Sequence, residues 1–162
     1  MALPGELTDE QANVAFDYYE PLTTHDSSLS PSTHALVAAR LGRVDVAEEF
    51  FRRSLFIDTD AAALRSTEGV HAANCGGNWQ TVVHGFAGIA PAVDAELLSI
   101  DPRMPPRITR IRTRYVWHGL PLVVDVRPGA VRVENRSGEE LSVTVAGVRA
   151  RLAPHGQAEL AY

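Results

Sequence analysis

Two short polar segments hold most of the side chains able to do chemistry in this 162-residue chain. One is Thr23-Thr24-His25-Asp26-Ser27-Ser28-Leu29-Ser30 and the other Glu68-Gly69-Val70-His71-Ala72-Ala73-Asn74-Cys75-Gly76-Gly77. Each precedes a stretch with helical signals, from Pro31 in the first case and from Asn78 in the second. A helix start presents backbone N–H groups without intrahelical partners and about half a positive charge, so it attracts anions. Gly76 and Gly77 lack a Cβ, which lets an oxyanion come close to the backbone. Hydroxyls of Ser27 and Ser28 and the imidazole of His71 add donors of the kind a phosphate accepts. Together these residues point to an oxyanion pocket built from two helix starts. A serine ahead of a helix also serves as an ordinary cap, and that role stays open beside the first.

Other constellations carry less. The six histidines show no metalloprotease spacing, and His71 with Cys75 lacks further ligands at zinc-site intervals, so no metal site is expected. His25, Asp26 and Ser27 are triad residue types, but neighbours in sequence rarely converge, and no nucleophile elbow is present. Gly76-Gly77 is too short for a dinucleotide fingerprint. A single cysteine, Cys75, cannot form an internal disulfide; it reads as a buried apolar filler in a reducing, cytoplasmic setting. His34 and His84 fall within helices, and His118 and His155 within turns. Core packing, rather than sugar stacking, is the expected role of Tyr18, Tyr19, Trp79 and Trp117.

The elements that position the two segments can be read from periodicity. Ser30-Pro31 is an N-cap followed by proline at the first helical position, and Gly42 closes that helix. A second helix follows at once, with Val44, Ala47, Phe51 and Leu55 as its apolar stripe and Glu48–Arg52 and Glu49–Arg53 as i,i+4 ion pairs. So short a turn makes the two helices antiparallel neighbours. A third helix is expected over 78–86, with Trp79, Val82, Val83 and Phe86 on one face and Gly85 or Gly88 at its exit. The loop before it, 59–77, is long enough to suggest function or disorder. From residue 110 the pattern changes to period two. Strands are expected at 110–115, 122–126, 131–134, 141–145, 148–152 and 157–162, separated by turn formers such as Pro128-Gly129 and Ala146-Gly147. Six short strands in this spacing make a small antiparallel sandwich.

Charge divides the chain in the same place. Residues 1–96 carry fourteen acidic side chains and five arginines, whereas residues 97–162 carry six and ten, for a net charge of −5 overall. The sign changes at Asp101-Pro102-Arg103-Met104-Pro105-Pro106, which reads as an extended linker over 97–107. The arginines of the second half are scattered through strands, as on a solvated sheet face or a surface packed against the acidic half, and not clustered as for nucleic acid. No run approaches the ~20 apolar residues of a membrane span, so neither nucleic acid nor membrane is an expected partner. With 45% hydrophobic and 22% charged residues, the composition excludes fibrous and wholly disordered classes.

The run from Phe16 to Pro31, Phe-Asp-Tyr-Tyr-Glu-Pro-Leu-Thr-Thr-His-Asp-Ser-Ser-Leu-Ser-Pro, closely resembles a signature of glycoside hydrolase family 65. The run from Glu68 to Gln80 and Gly85-Phe86-Ala87-Gly88 resemble the family's next two blocks, in its order. The similarity covers about residues 8–90, and a β-rich tail also suits it. The resemblance implies an α+β chain: the final helices of an (α/α)6 barrel over 1–96, the linker, and a C-terminal β-domain over 108–162. It implies inverting action on α-glucosidic disaccharides such as trehalose, maltose or kojibiose, with no cofactor and with inorganic phosphate as co-substrate in phosphorylase members. Phosphate is already an anionic nucleophile, so an anion cradle takes the place of the water-activating carboxylate of an inverting hydrolase. The resemblance puts that cradle at Ser27, Ser28, His71, Gly76 and Gly77, with His25 and Asp26 shaping the loop. If the chemistry were hydrolytic, Glu68 would be a candidate water activator. The family's general acid belongs upstream of the first block, so this chain alone is expected to be inactive. Its segment 60–67 departs from the asparagine-threonine pattern expected before Glu68-Gly69. Two further roles remain open: a carbohydrate-binding module, or a subunit that completes a partner's barrel through its exposed helices.

Overall fold

The computed structural model describes residues 7–59, 69–90 and 97–162; Glu68 and the segment 60–67 lie outside them. The chain forms two compact units, Met1–Phe86 and Ala87–Tyr162.

The first unit is helical. Helix α1 (Asp9–Tyr19) starts with a capping box in which the Thr8 hydroxyl accepts from Gln11 N–H at 3.2 Å and the Gln11 side chain accepts from Thr8 N–H at 3.0 Å. Sequence periodicity does not announce this helix, because Phe16 is its only buried residue. Arg43 secures it, donating to Asn13 Oδ1 at 2.8 Å and to Asp17, with its guanidinium 5.1 Å from the Phe16 ring centre. Helix α2 (Ser30–Arg40) carries Pro31 in its first turn, where proline's missing N–H costs nothing. Its N-cap is Leu29, not the expected Ser30. At the other end Arg43 N–H donates to Ala38 O (2.9 Å) and Gly42 N–H to Ala39 O (3.0 Å), the two bonds of a Schellman motif. Gly42 supplies the left-handed residue, with φ 75°.

Helix α3 (Val44–Leu55) packs against α2 but is turned from the expected stripe: Ala47, Phe50 and Ser54 are buried, while Leu55 is 45% exposed. The cause is polar. Ser54 Oγ donates to Asn74 Oδ1 at 2.6 Å, and Asn74 Nδ2 donates to Ser54 O at 2.9 Å, so two buried polar residues satisfy each other. Helix α4 (Ala72–Gln80) starts six residues before the expected position and runs into a π-helical turn, Thr81–Phe86. Glycines at 76 and 77 argue against an interior helical position on propensity, and tertiary packing overrides that preference. Because Asn74 is held inward by Ser54, its neighbour Cys75 faces out and is exposed, not the buried filler expected. Trp79, Tyr18 and Tyr19 are likewise exposed, whereas Trp117 is buried.

The second unit holds two four-stranded sheets. One has the order β1-β2-β6-β7, from Ile89–Ala90, Leu98–Ile100, Leu141–Val145 and Val148–Leu152. The other has the order β3-β4-β5-β8, from Ile111–Trp117, Leu120–Arg127, Ala130–Asn135 and Gln157–Ala161. Among the described residues the expected all-antiparallel arrangement of six strands is corrected to eight, with β2 running parallel to β6 in the register Leu98↔Val143. Strands of two and three residues are too short to show alternation, which is why β1 and β2 escape a reading by period. Gly88 lets the chain reach the sheet: at φ 65° its Cβ would lie 1.8 Å from Asp101 O. On the outer face of the second sheet, Asp125 is cross-strand from both Arg112 and Arg132 and is 3% exposed. It accepts from Arg110 at 2.9 Å and 2.6 Å, and Glu134 accepts from Arg112 and Arg136. Arg110, Arg112, Arg127, Arg132 and Arg136 thus pair with Asp125 or Glu134.

Among the described residues no helix is long and apolar enough to cross a membrane, and no group of three metal-ligating side chains converges.

Candidate functional site

The first polar segment folds as a tight approach to α2. His25 adopts a left-handed φ of 55°, which turns its ring back over the helix start. Its Nδ1 lies 2.8 Å from Ser30 Oγ, which lies 3.3 Å from His34 Nδ1, itself 2.8 Å from Ser30 O. A carbonyl only accepts, so His34 carries hydrogen on Nδ1, and the Ser30 hydroxyl is free to donate to an unprotonated His25 Nδ1. The His25 ring also stands 4.6 Å from His34 and 5.1 Å from Phe50, centre to centre. Burial holds the His25 pKa below 6.5, with the charges of His34 and Arg53 adding to the shift and Glu20 opposing it. A neutral His25 suits the acceptor role that Ser30 requires.

Beyond His25, the Ser27 hydroxyl accepts from Leu29 N–H at 3.3 Å and Ser27 O accepts from Ser30 N–H at 3.0 Å, so Ser27 shapes the turn into α2. Asp26 is exposed. Ser28 is half-buried, and its hydroxyl makes no hydrogen bond among the described residues.

The second segment is built differently from the sequence expectation. The tip of α4 lies at His71-Ala72, not at Asn78. Gly76 and Gly77 therefore sit inside the helix, where the α-helical pattern commits their N–H groups to carbonyls four residues earlier. The basis for placing a backbone cradle at these glycines is corrected accordingly. They have two separate effects. A Cβ on Gly77 would lie 2.3 Å from Ser32 Oγ and 2.8 Å from Ser32 Cβ, so glycine is what lets α4 lie against α2. Gly76 meets nothing within 4 Å and leaves the helix flank open. Thr81 reinforces the helix contact by donating to Ser32 O at 3.0 Å.

His71 is the N-cap residue of α4 and is gripped twice by Asp58. Asp58 Oδ1 lies 2.6 Å from His71 Nδ1, and Asp58 Oδ2 accepts from His71 N–H at 3.1 Å. The hydrogen bond from His71 holds the Asp58 carboxyl below its usual pKa of 3.8. A carboxylate accepts only, so Nδ1 carries the hydrogen and Nε2 has no protein partner among the described residues. The Asn78 side-chain oxygen is also buried without a hydrogen-bond donor among them. No side-chain bond joins His71 to Ser27 or Ser28 among the described residues; the segments they belong to are connected through the packing of α4 on α2 at Ser32.

Asp58 and Ser32 are not singled out in the sequence, and Ser30 reads there only as an N-cap. Asp58 stands thirteen residues before its partner and shares no motif with it, so only folding reveals the pair.

Comparison with known proteins agrees with this architecture. Residues 1–80 match the glycosyl hydrolase family 65 central catalytic domain, and residues 92–152 match the C-terminal domain of the same family. The chain belongs to glycosyl hydrolase family 65. A kojibiose phosphorylase from Halothermothrix orenii is 37% identical over 81% of the chain and 16% of its own length. An α,α-trehalose phosphorylase from Geobacillus stearothermophilus is 32% identical over 99% of the chain and 21% of its own length. A maltose phosphorylase from Bacillus subtilis is 36% identical over 86% of the chain. A solved structure of a human-microbiome protein named after kojibiose phosphorylase superposes with a TM-score of 0.85 and 25% identity, over 97% of this chain and 20% of that one. The chain thus spans about a fifth of the length of the relatives it matches.

Proposed function

We propose that this chain supplies the phosphate side of an inverting disaccharide phosphorylase of family 65, acting on an α-glucosidic disaccharide. The observation that carries the reading is His71: its ring is fixed at the tip of α4 by Asp58, and Nε2 is left for a ligand. Three features support it. The Ser28 hydroxyl has no protein partner among the described residues, Gly76 leaves a flank of α4 without a Cβ, and the helix tip favours negative charge. In this reading Ser27, Ser28 and His71 are the phosphate-facing groups, Gly76 gives the anion room, and Gly77 sets the helix that carries them. His25 and Asp26 shape the loop.

The chemistry follows from inversion. Phosphate attacks the anomeric carbon from the face opposite the leaving sugar, while a carboxylic acid protonates the departing oxygen. One C–O bond forms as the other breaks, and the product is β-glucose 1-phosphate. We infer that the acid is supplied from outside these residues. The purified chain is therefore expected to turn over neither trehalose, maltose nor kojibiose, with or without phosphate. Inorganic phosphate titrated into the ¹⁵N-labelled chain is expected to move the signals of His71 and of residues 27–28 together, and His71→Asn to abolish the shift. Measurable turnover by the chain alone, or phosphate shifts scattered elsewhere, would overturn the reading.

A second element concerns partners. Along α1, Val14, Tyr18 and Tyr19 are 66%, 63% and 59% exposed, an apolar stripe on a helix within the stretch that matches the family's central catalytic domain. We infer that this stripe is covered by polypeptide carrying further barrel helices. Val14→Asp/Tyr18→Asp is expected to abolish co-purification with a co-expressed family 65 segment that lacks these residues. Unchanged co-purification would refute the inference.

A further inference from the structure

Resting on the phosphate reading of His71, we propose that Asp58 is the positioning residue of the site, fixing which ring nitrogen of His71 faces the anion. The geometry is a two-point clamp. One carboxylate oxygen holds Nδ1 at 2.6 Å and the other holds the backbone N–H of the same residue at 3.1 Å. Ring and main chain are thereby set by a single side chain, which leaves the imidazole little freedom about its first two torsions. The Asp58 and His71 side chains are 17% and 26% exposed, so the pair is partly shielded from water.

The tautomer is the functional content of the clamp. Which nitrogen of a histidine is protonated depends on the hydrogen bond made by the other one. An acceptor on Nδ1 keeps hydrogen there, so Nε2 presents either a lone pair or, once the ring is doubly protonated, an N–H. In the first state Nε2 accepts a hydrogen bond from the P–O–H of a protonated phosphate; in the second it donates to a phosphate oxygen while Asp58 balances the ring's charge. Without Asp58, the ring is free to place its single hydrogen on Nε2 and to rotate, and the anion loses a fixed partner. Asp58 touches neither phosphate nor sugar in this scheme; it acts only through His71.

The test uses the full 162-residue chain, ¹⁵N-labelled, with inorganic phosphate as the probe. Long-range ¹H–¹⁵N spectra of the His71 ring are expected to show hydrogen on Nδ1 in the wild type at a pH where the ring is neutral. Asp58→Ala is expected to move that hydrogen to Nε2 and to weaken phosphate binding about tenfold, equivalent to about 1.4 kcal/mol. Asp58→Asn is the variant that keeps the shape. Its amide oxygen still accepts from Nδ1, so the tautomer is expected to persist, but the amide cannot also accept from His71 N–H or balance a charged ring. Phosphate affinity should then fall by about threefold. If the alanine variant does not fold, the asparagine variant decides. A wild-type ring with hydrogen on Nε2, or wild-type affinity and tautomer in the variants, overturns the role given to Asp58. If phosphate moves no His71 signal in the wild type, the phosphate reading fails, while the tautomer comparison still reports on the clamp.

Discussion

Gly77→Ala provides the sharpest physical test of how α4 is held. The added Cβ would sit 2.3 Å from Ser32 Oγ and 2.8 Å from Ser32 Cβ. Rotating the Ser32 side chain moves Oγ but not Cβ, and Ser32 is 1% exposed, so relief requires the helices to separate. Overpacking of this kind costs about 1–3 kcal/mol. Replacing an interior helical glycine by alanine returns about 0.8–1.0 kcal/mol of backbone entropy. The net effect expected is a loss of about 0–2 kcal/mol. Gly76→Ala is the internal control: same helix, same chemistry, nothing within 4 Å, and an expected gain of up to about 1 kcal/mol. The two variants should therefore differ by about 1–3 kcal/mol, and each kcal/mol moves the midpoint of a domain this small by about 4–8 °C. Thermal unfolding followed by far-UV circular dichroism measures the gap. Ser32→Gly combined with Gly77→Ala restores space, so a double-mutant cycle should return a favourable coupling of at least about 1 kcal/mol. A Gly77→Ala protein as stable as Gly76→Ala, or a cycle with no coupling, would refute the packing argument.

Other expectations follow from the same contacts. Asn74→Ala strands the Ser54 hydroxyl and carbonyl in a buried site and should cost about 2–3 kcal/mol, read by urea denaturation. Equal loss in Asn74→Ala and Ser54→Ala, with no further loss in the double variant, would show that the two residues act as one unit. His25 has a folded-state pKa below its unfolded value of 6.5, so the unfolded chain binds the proton more readily. Its contribution is fully present above pH about 6.5 and is lost as the pH falls through the lower folded value. His25→Asn should flatten that part of the stability profile, and an unchanged profile would remove His25 from the account. Asp125, depressed chiefly by the hydrogen bond from Arg110, contributes stability above its unfolded pKa of 3.8 that is lost as acid takes the carboxyl through its folded value. Asp125→Asn should lower the midpoint of the β unit at neutral pH and remove the acid-dependent loss, as followed by Trp117 fluorescence.

Residue order reveals those parts of the fold where local chemistry and packing agree. The α2–Gly42–α3 hairpin is readable because proline, glycine and apolar period all mark the same boundaries, and strands β3 to β8 are readable because turn formers bound them and because buried aliphatics alternate with half-buried polar residues in β5 and β6. The α4 start is not readable, because two glycines resemble a loop until Ser32 is brought against one of them. The turn of α3 is equally hidden: a buried serine earns its place only through Asn74, twenty positions away. Strands β1 and β2 are too short to carry a period. In the candidate site, His71 could be chosen by type and motif, but Asp58 could not, since a lone aspartate in a turn after a helix has many ordinary uses.

The closure at Gly42 also bears on the order of events during folding. Helices α2 and α3 meet across a turn sealed by its own two backbone bonds, so their contacts need almost no loop closure and can form within the nascent chain. The sheet containing β2 is at the other extreme, because Leu98 waits for Val143 before it finds its parallel neighbour. A ribosome-stalled series read by limited proteolysis should protect the hairpin as soon as residue 56 clears the exit tunnel. Protection of β2 should appear only after β6 has been made, which leaves the apolar Leu98–Ile100 strand as the stretch that a chaperone would meet.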